Sequence, residues 1–416
     1  MDATTLLLAT ATVTGLYMAW NIGANDVANA MGTSVGSGAL TLRAAIVVAA
    51  IFEFSGAMLV GGTVTQTISK GIISLDAIGA DALLLATGMT CALLSAAIWL
   101  HVATYFGWPV STTHSIVGAV VGFGLVAGGL HAVQWLMLLK IAASWVISPA
   151  MGALVGFACF VLVRRLVLGA ASPLTAMRRV GPVLVFPVFA LLTLALLFKG
   201  LKPLHLDLPM SFAAPLAAGV GLTASLLAVP LLGLVAKRAM RVQGQDELKQ
   251  VERVFLALQI LTACFVAFAH GSNDVANAVG PLAAVYASAR GTVSTEVTIP
   301  VNVLTVGAVG IVFGLATYGY RVMGTIGRDI TELTPSRGFV AEFAAASTIV
   351  LASKLGLPVS TTHTLVGAVI GVGFARSIGA INMGVLRGII ASWFITVPFT
   401  AVLSAVLVFI ARLLLG

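Results

Sequence analysis

Gly23-Ala24-Asn25-Asp26-Val27-Ala28-Asn29-Ala30 and Gly271-Ser272-Asn273-Asp274-Val275-Ala276-Asn277-Ala278 are two copies of one polar phrase in an otherwise apolar chain. Each is followed by a second shared phrase, Pro109-Val110-Ser111-Thr112-Thr113-His114 and Pro358-Val359-Ser360-Thr361-Thr362-His363. The spacing from Asn25 to Pro109 matches that from Asn273 to Pro358 to within one residue. Two motifs held in register over such a distance define a duplicated unit, and the parts kept in both copies are polar.

Composition places those phrases in a membrane. The 416 residues are 59% hydrophobic and 9% charged, and the mean hydropathy is +1.09. Soluble chains carry about 25% charged residues, so a polytopic helical membrane protein is the class that remains. Forty-four glycines suit close helix approach. The small-xxx-small spacings Gly118 to Gly122 and Gly367 to Gly371 read as packing within the chain. The net charge of +8 comes from cations in loops rather than from a basic stripe, so no nucleic acid is expected. Cys91, Cys159 and Cys264 are single core thiols without disulfide or metal spacing. The N-terminus lacks the basic region of a cleavable signal and is expected to be retained.

Apolar runs cover about 6–20, 44–60, 82–106, 115–130 and 133–163. Those starting at Ser115 and Thr364 are short for a span of about 20 residues and fit half-helices or re-entrant hairpins. A basic stretch with Arg164, Arg165, Arg178 and Arg179 precedes two apolar runs, 183–198 and 212–235, that carry no polar phrase. The most charged segment, Lys237 to Arg253, follows. Two spans separate the basic stretches, so both lie on one face, the cytoplasmic one by the positive-inside rule. The chain thus divides into a first repeat at 1–163, basic loops with two extra helices at 164–252, and a second repeat at 253–416. If the first repeat starts outside and the second inside, the halves are inverted, a plan that puts a transport site near the midplane.

Asn25, Asp26 and Asn29 share a helix face, as do Asn273, Asp274 and Asn277. Thr33 extends that face in the first copy, whereas Pro281 stands at its place in the second. A carboxylate with two amide oxygens is a set of hard ligands for a monovalent cation, or else a polar clamp between helices. Ionisable residues inside a membrane are expensive, and two at matched positions favour the cation. The Pro-Val-Ser-Thr-Thr-His phrases read as helix starts capped by serine. Two such starts facing one another would cradle a tetrahedral oxyanion with N–H groups, dipole ends and hydroxyls; the alternative is ordinary capping of buried helices. His114 and His363 read as structural hydrogen-bonders, and His270, with Ile22 opposite it in the first copy, as outside any shared mechanism. Glu53 and Glu342 occupy non-equivalent positions and could bind a cation, carry a proton, or pair with Lys70 and Arg328. No hydrolase elbow, nucleotide loop or zinc spacing is present, so no enzyme is expected.

These residues resemble the PiT family of inorganic phosphate transporters over nearly the whole chain outside about 164–251. The likeness implies an all-α polytopic membrane protein with inverted repeats, re-entrant helical hairpins and about 10–12 membrane segments, assembled as a homodimer. It implies symport of inorganic phosphate with Na⁺ or H⁺, Na⁺ foremost, and no further cofactor. By the same likeness Asn25, Asp26, Asn29, Asn273, Asp274 and Asn277 would hold Na⁺. Ser111, Thr112, Thr113, Ser360, Thr361 and Thr362 would hold phosphate, and Glu53 and Glu342 match acids important for transport. The family also includes sulfate permeases, and an uncoupled anion channel is a further alternative. Protonated phosphate wants an acceptor where sulfate wants donors alone, which favours phosphate beside Asp26 and Asp274. The compact loops suggest a bacterial inner membrane.

Overall fold

Helix α1 (Ala3–Gly36) carries the first polar phrase without interruption and runs into α2 (Leu42–Val60). The computed structural model describes residues 3–61, 72–74, 77, 81–197, 208–240, 246–290, 299–354 and 359–415; Lys70, Arg241 and Pro358 lie outside them. Next come α3 (Ala82–Tyr105), α4 (Thr112–Gly128) and α5 (Trp135–Val163). The two extra helices are α6 (Pro173–Ala195) and α7 (Met210–Met240). The second half repeats the pattern with α8 (Glu247–Asp274), α9 (Ala276–Ala289), α10 (Val301–Thr317) and α11 (Tyr320–Gly324). It ends with α12 (Pro335–Lys354), α13 (Thr361–Arg376) and α14 (Met383–Leu415).

Among the described residues nine helices are long and apolar enough to cross a membrane, and a pair bent by 61° between Val301 and Asp329 makes ten. The bounds agree with the 10–12 segments expected at their lower end. Helix α13 has 16 residues, or about 24 Å at 1.5 Å per residue, short of the roughly 30 Å hydrocarbon core, whereas α4, with 17 residues, continues into a 3-10 turn to Ala132 and counts among the nine. Each starts at a serine in extended conformation, Ser111 at φ −84°, ψ 120° and Ser360 at φ −82°, ψ 116°.

The two polar phrases diverge in backbone. Helix α1 is unbroken, whereas in the second copy one turn residue at helical angles, Val275 (φ −55°, ψ −31°), separates α8 from α9, which together run as one span. Pro281 lies inside α9 and has no N–H, so the carbonyl four residues earlier, that of Asn277, loses its helical donor.

The halves interlock by crossing. Helix α4 of the first half packs on α14 of the second, where a Cβ on Gly122 would collide with the carbonyl oxygen of Ala401. The repeat-related contact sets α13 on α5, where a Cβ on Gly371 would collide with the carbonyl oxygen of Ala153. Ser95 Oγ donates to Thr400 O (2.8 Å) and Trp99 Nε1 to Thr396 Oγ1 (3.0 Å), joining α3 to α14. The acids of the charged segment seal helix starts. Glu247 accepts from Ser172 Oγ (2.8 Å) and Leu174 N (3.1 Å) at the start of α6. Glu252 accepts from Ser336 N (2.8 Å) and Ser336 Oγ (2.7 Å) at the start of α12.

Gly122→Leu and Gly371→Leu should each lower the melting temperature of the detergent-solubilised protein, since overpacking costs about 1–3 kcal/mol. Gly388→Ala, where nothing stands within 4 Å of the added carbon, should leave the melt unchanged or slightly higher. Thermal unfolding followed by circular dichroism checks both.

Candidate ion-binding centre

Three carboxylates and one imidazole meet where α1, α2 and α8 touch. His270 Nε2 lies 3.0 Å from Asp274 Oδ2 and 3.6 Å from Asp26 Oδ2, and its Nδ1 lies 3.3 Å from Glu53 Oε1. All four side chains are fully buried. Ligand atoms of Asp26, His270 and Asp274 all fall within 4.8 Å of one another. A single imidazole can offset one negative charge, so three carboxylates leave an excess that a dry interior does not tolerate. Asp26 Oδ2, Asn29 Oδ1 and both oxygens of Glu53 have no hydrogen-bond partner among the described residues. Unpartnered buried oxygens around an anionic excess are the chemistry of a cation site.

The hydroxyl-tipped helix starts close over these acids, Asp26 being met from the opposite repeat and Asp274 from its own. Asn29 Nδ2 donates to Asp26 Oδ1 (2.9 Å) and to Thr362 Oγ1 (2.8 Å). Thr362 Oγ1 lies in turn 3.0 Å from Asp26 Oδ1 and 3.2 Å from Val110 O. In the repeat-related cluster Asn277 Nδ2 reaches Thr112 Oγ1 (3.1 Å), Thr113 Oγ1 (3.3 Å) and Asp274 Oδ1 (3.3 Å). Asn273 Nδ2 donates to Asp274 Oδ1 (3.1 Å), and Thr361 Oγ1 donates to Asp274 Oδ2 (2.8 Å). Ser111 Oγ accepts from His114 N (3.2 Å) and Ser360 Oγ from His363 N (3.1 Å). Each capping hydroxyl therefore keeps its own hydrogen for another acceptor. Ser111, Thr112, Thr113, Ser360, Thr361 and Thr362 are all buried.

Asn25 stands apart from the acids. Its Nδ2 donates to Thr104 Oγ1 (2.9 Å) and Trp108 O (3.0 Å), while its Oδ1 accepts from Val110 N (3.2 Å). It clamps the chain leading into Ser111, the second of the two roles open to it from sequence. Glu342 is separate again, at the far end of α1. Its Oε1 accepts from Thr33 Oγ1 (2.6 Å), Ser34 Oγ (2.7 Å) and Gln259 Nε2 (3.3 Å), and its Oε2 from Thr262 Oγ1 (2.6 Å). Arg328 is not among those partners, so of the readings open to Glu342 the pairing with a basic residue gives way to neutral donors. Glu53 takes His270, and Lys70 falls outside the described residues.

Sequence reasoning passed over His270 because the first repeat holds Ile22 at that place. The signal was within the second repeat itself: His270 precedes Asp274 by four residues, one turn along the same helix face.

The profile of the "Phosphate transporter family" matches residues 22–404. "Inorganic phosphate transporter 2-1, chloroplastic" of Arabidopsis thaliana is 48% identical over 97% of this chain and 72% of its own. A solved structure described as "The sodium-dependent phosphate transporter" is 41% identical. It superposes with a TM-score of 0.91 over 98% of this chain and 99% of its own.

His270→Ala should lower stability by about 3–5 kcal/mol, the cost of leaving buried charge unpaired. Adding Asp274→Asn to that variant should recover part of the loss. Melting temperatures of the single and double variants in detergent give the comparison.

Proposed function

The chain belongs to the phosphate transporter family, and from that premise we propose that it imports inorganic phosphate by symport with Na⁺ through alternating access. One observation carries the reading. The groups suited to the cation and the groups suited to the anion are hydrogen-bonded to one another, across the two repeats for Thr362 with Asp26 and Asn29 and for Thr112 and Thr113 with Asn277, and within the second repeat for Thr361 with Asp274.

That wiring supplies coupling. Without a cation, the Thr361 and Thr362 hydroxyls point their hydrogens at carboxylates. Na⁺ beside Asp26 and Asn29, or beside Asp274 and Asn277, satisfies those carboxylates with a positive charge and releases the hydroxyls. The freed hydroxyls, with those of Ser111 and Ser360 and the exposed N–H groups of two helix starts, can then donate to an oxyanion. Phosphate brings negative charge that the bound cations offset, so each ligand lowers the cost of the other. The carbonyl of Asn277, which lacks the N–H of Pro281 as helical donor, offers a further oxygen to the second cation position. A remaining proton on phosphate finds acceptors in the same carboxylates, an option sulfate lacks. The charged 237–253 segment is read as cytoplasmic by the positive-inside rule.

Radiolabelled phosphate uptake into proteoliposomes should rise with an inward Na⁺ gradient at constant pH. Indifference to Na⁺ would remove the coupling, and competition by unlabelled sulfate would reassign the anion. Asp26→Asn and Asp274→Asn should each abolish Na⁺-driven uptake in protein that still elutes as a single species; normal uptake by both would remove the cation assignment.

A further inference from the structure

Behind the hydroxyls lies a row of four rings that coupling does not use. The His114 ring, on the third residue of α4, meets the His363 ring, on the third residue of α13, at 4.3 Å between centroids and 79° between planes. Trp145 of α5 backs His114 at 3.8 Å, and Trp393 of α14 backs His363 at 3.5 Å and 21°. Both histidines are 2% exposed. The two tryptophans occupy equivalent places in the repeats, as the two histidines do.

The row crosses the repeat boundary at its centre, between His114 and His363, and each tryptophan makes a second contact across it. Trp145 stacks on α4, yet its helix packs on α13, and its carbonyl lies 3.4 Å from His363 Nδ1. Trp393 stacks on α13, yet its helix packs on α4, and its indole N–H donates to Pro109 O (3.3 Å), two residues before Ser111. The hydroxyls of the anion cradle sit one to three residues ahead of the touching rings on each helix. The gap between the two sets of donors is therefore set by an edge-to-face pair of imidazoles held between two indoles. Rings in such contact have a defined separation, and close-packed interiors transmit a shift on one side to the other.

We propose that His114 and His363, braced by Trp145 and Trp393, are positioning residues that fix the width of the oxyanion cradle and make its two halves move as one. The rings set which size of tetrahedral anion is accepted, a statement that rests on the phosphate reading above. The mechanical link between α4 and α13 does not depend on the cargo.

The test uses the full-length protein and reads the two parts separately. In proteoliposomes, His114→Ala and His363→Ala should each raise the KM for phosphate by about tenfold, the scale of losing support behind a binding group, with Vmax changed far less. Competition by arsenate, which has the same charge and protonation but a larger radius, should become stronger relative to phosphate. His114→Phe, which keeps a flat ring, should restore both values toward those of the wild type. Alanine variants with unchanged KM and unchanged arsenate competition would overturn the width assignment. Amide hydrogen exchange in detergent supplies the cargo-independent arm: His114→Ala should speed exchange in residues 361–367 of the opposite repeat. Exchange confined to residues 112–118 would overturn the brace. Where an alanine variant aggregates, His114→Leu replaces it with the same expectations. Wild-type protein that fails to take up phosphate would overturn the functional reading instead, and the exchange arm then decides the brace.

Discussion

Burying Asp26, Asp274 and Glu53 around one imidazole imposes a condition on everything near them. Charge at zero solvent exposure must be met by opposite charge or by donors, because no water is present to do it. His270 supplies a fraction of what three carboxylates require, and the amides of Asn29, Asn273 and Asn277 supply donors to two of the three. The oxygens that stay unpartnered are those of the cluster centre, which makes the remaining deficit local and specific. In the reading proposed above, a cation there would meet that deficit.

The hydroxyls of the two serine-capped helices work under the same condition. A threonine hydroxyl has one hydrogen, so it can serve a carboxylate or a bound oxyanion but not both. Thr361 and Thr362 direct theirs at Asp274 and Asp26. Competition for a single hydrogen is the physical basis of the coupling proposed above, in which the state of the acids would govern anion binding through a few hydrogen bonds.

Crossed packing explains why Thr362 finds Asp26 in the other repeat while Thr361 finds Asp274 in its own. Helix α4 belongs to the first half and lies on α14; α13 belongs to the second and lies on α5. Glycine makes both approaches possible, and the serine-capped starts of α4 and α13 are brought to one point as a result. Glu342 illustrates the contrast. Held by three hydroxyls and an amide, it satisfies its charge with neutral donors and takes no part in the central cluster.

Much of this was legible in the residues. Hydropathy specified a helical membrane protein, because a chain so poor in charge cannot be soluble, and duplicated phrases marked the acids and hydroxyls because ionisable groups are costly in lipid unless used. The short apolar run from Thr364 foretold a helix too short to span, whereas the run from Ser115 became part of a 21-residue stretch long enough to cross. The rest depended on which surfaces meet across hundreds of residues, which local pattern does not encode. Asn25 and Asn29 look alike in sequence, yet one clamps a loop and the other joins Asp26. His270 looked solitary until three acids from α1, α2 and α8 closed around it. Residue chemistry and spacing determined what the site could bind; packing of one repeat into the other decided which atoms share it, since the energy of a buried charge is set by neighbours in space and not along the chain.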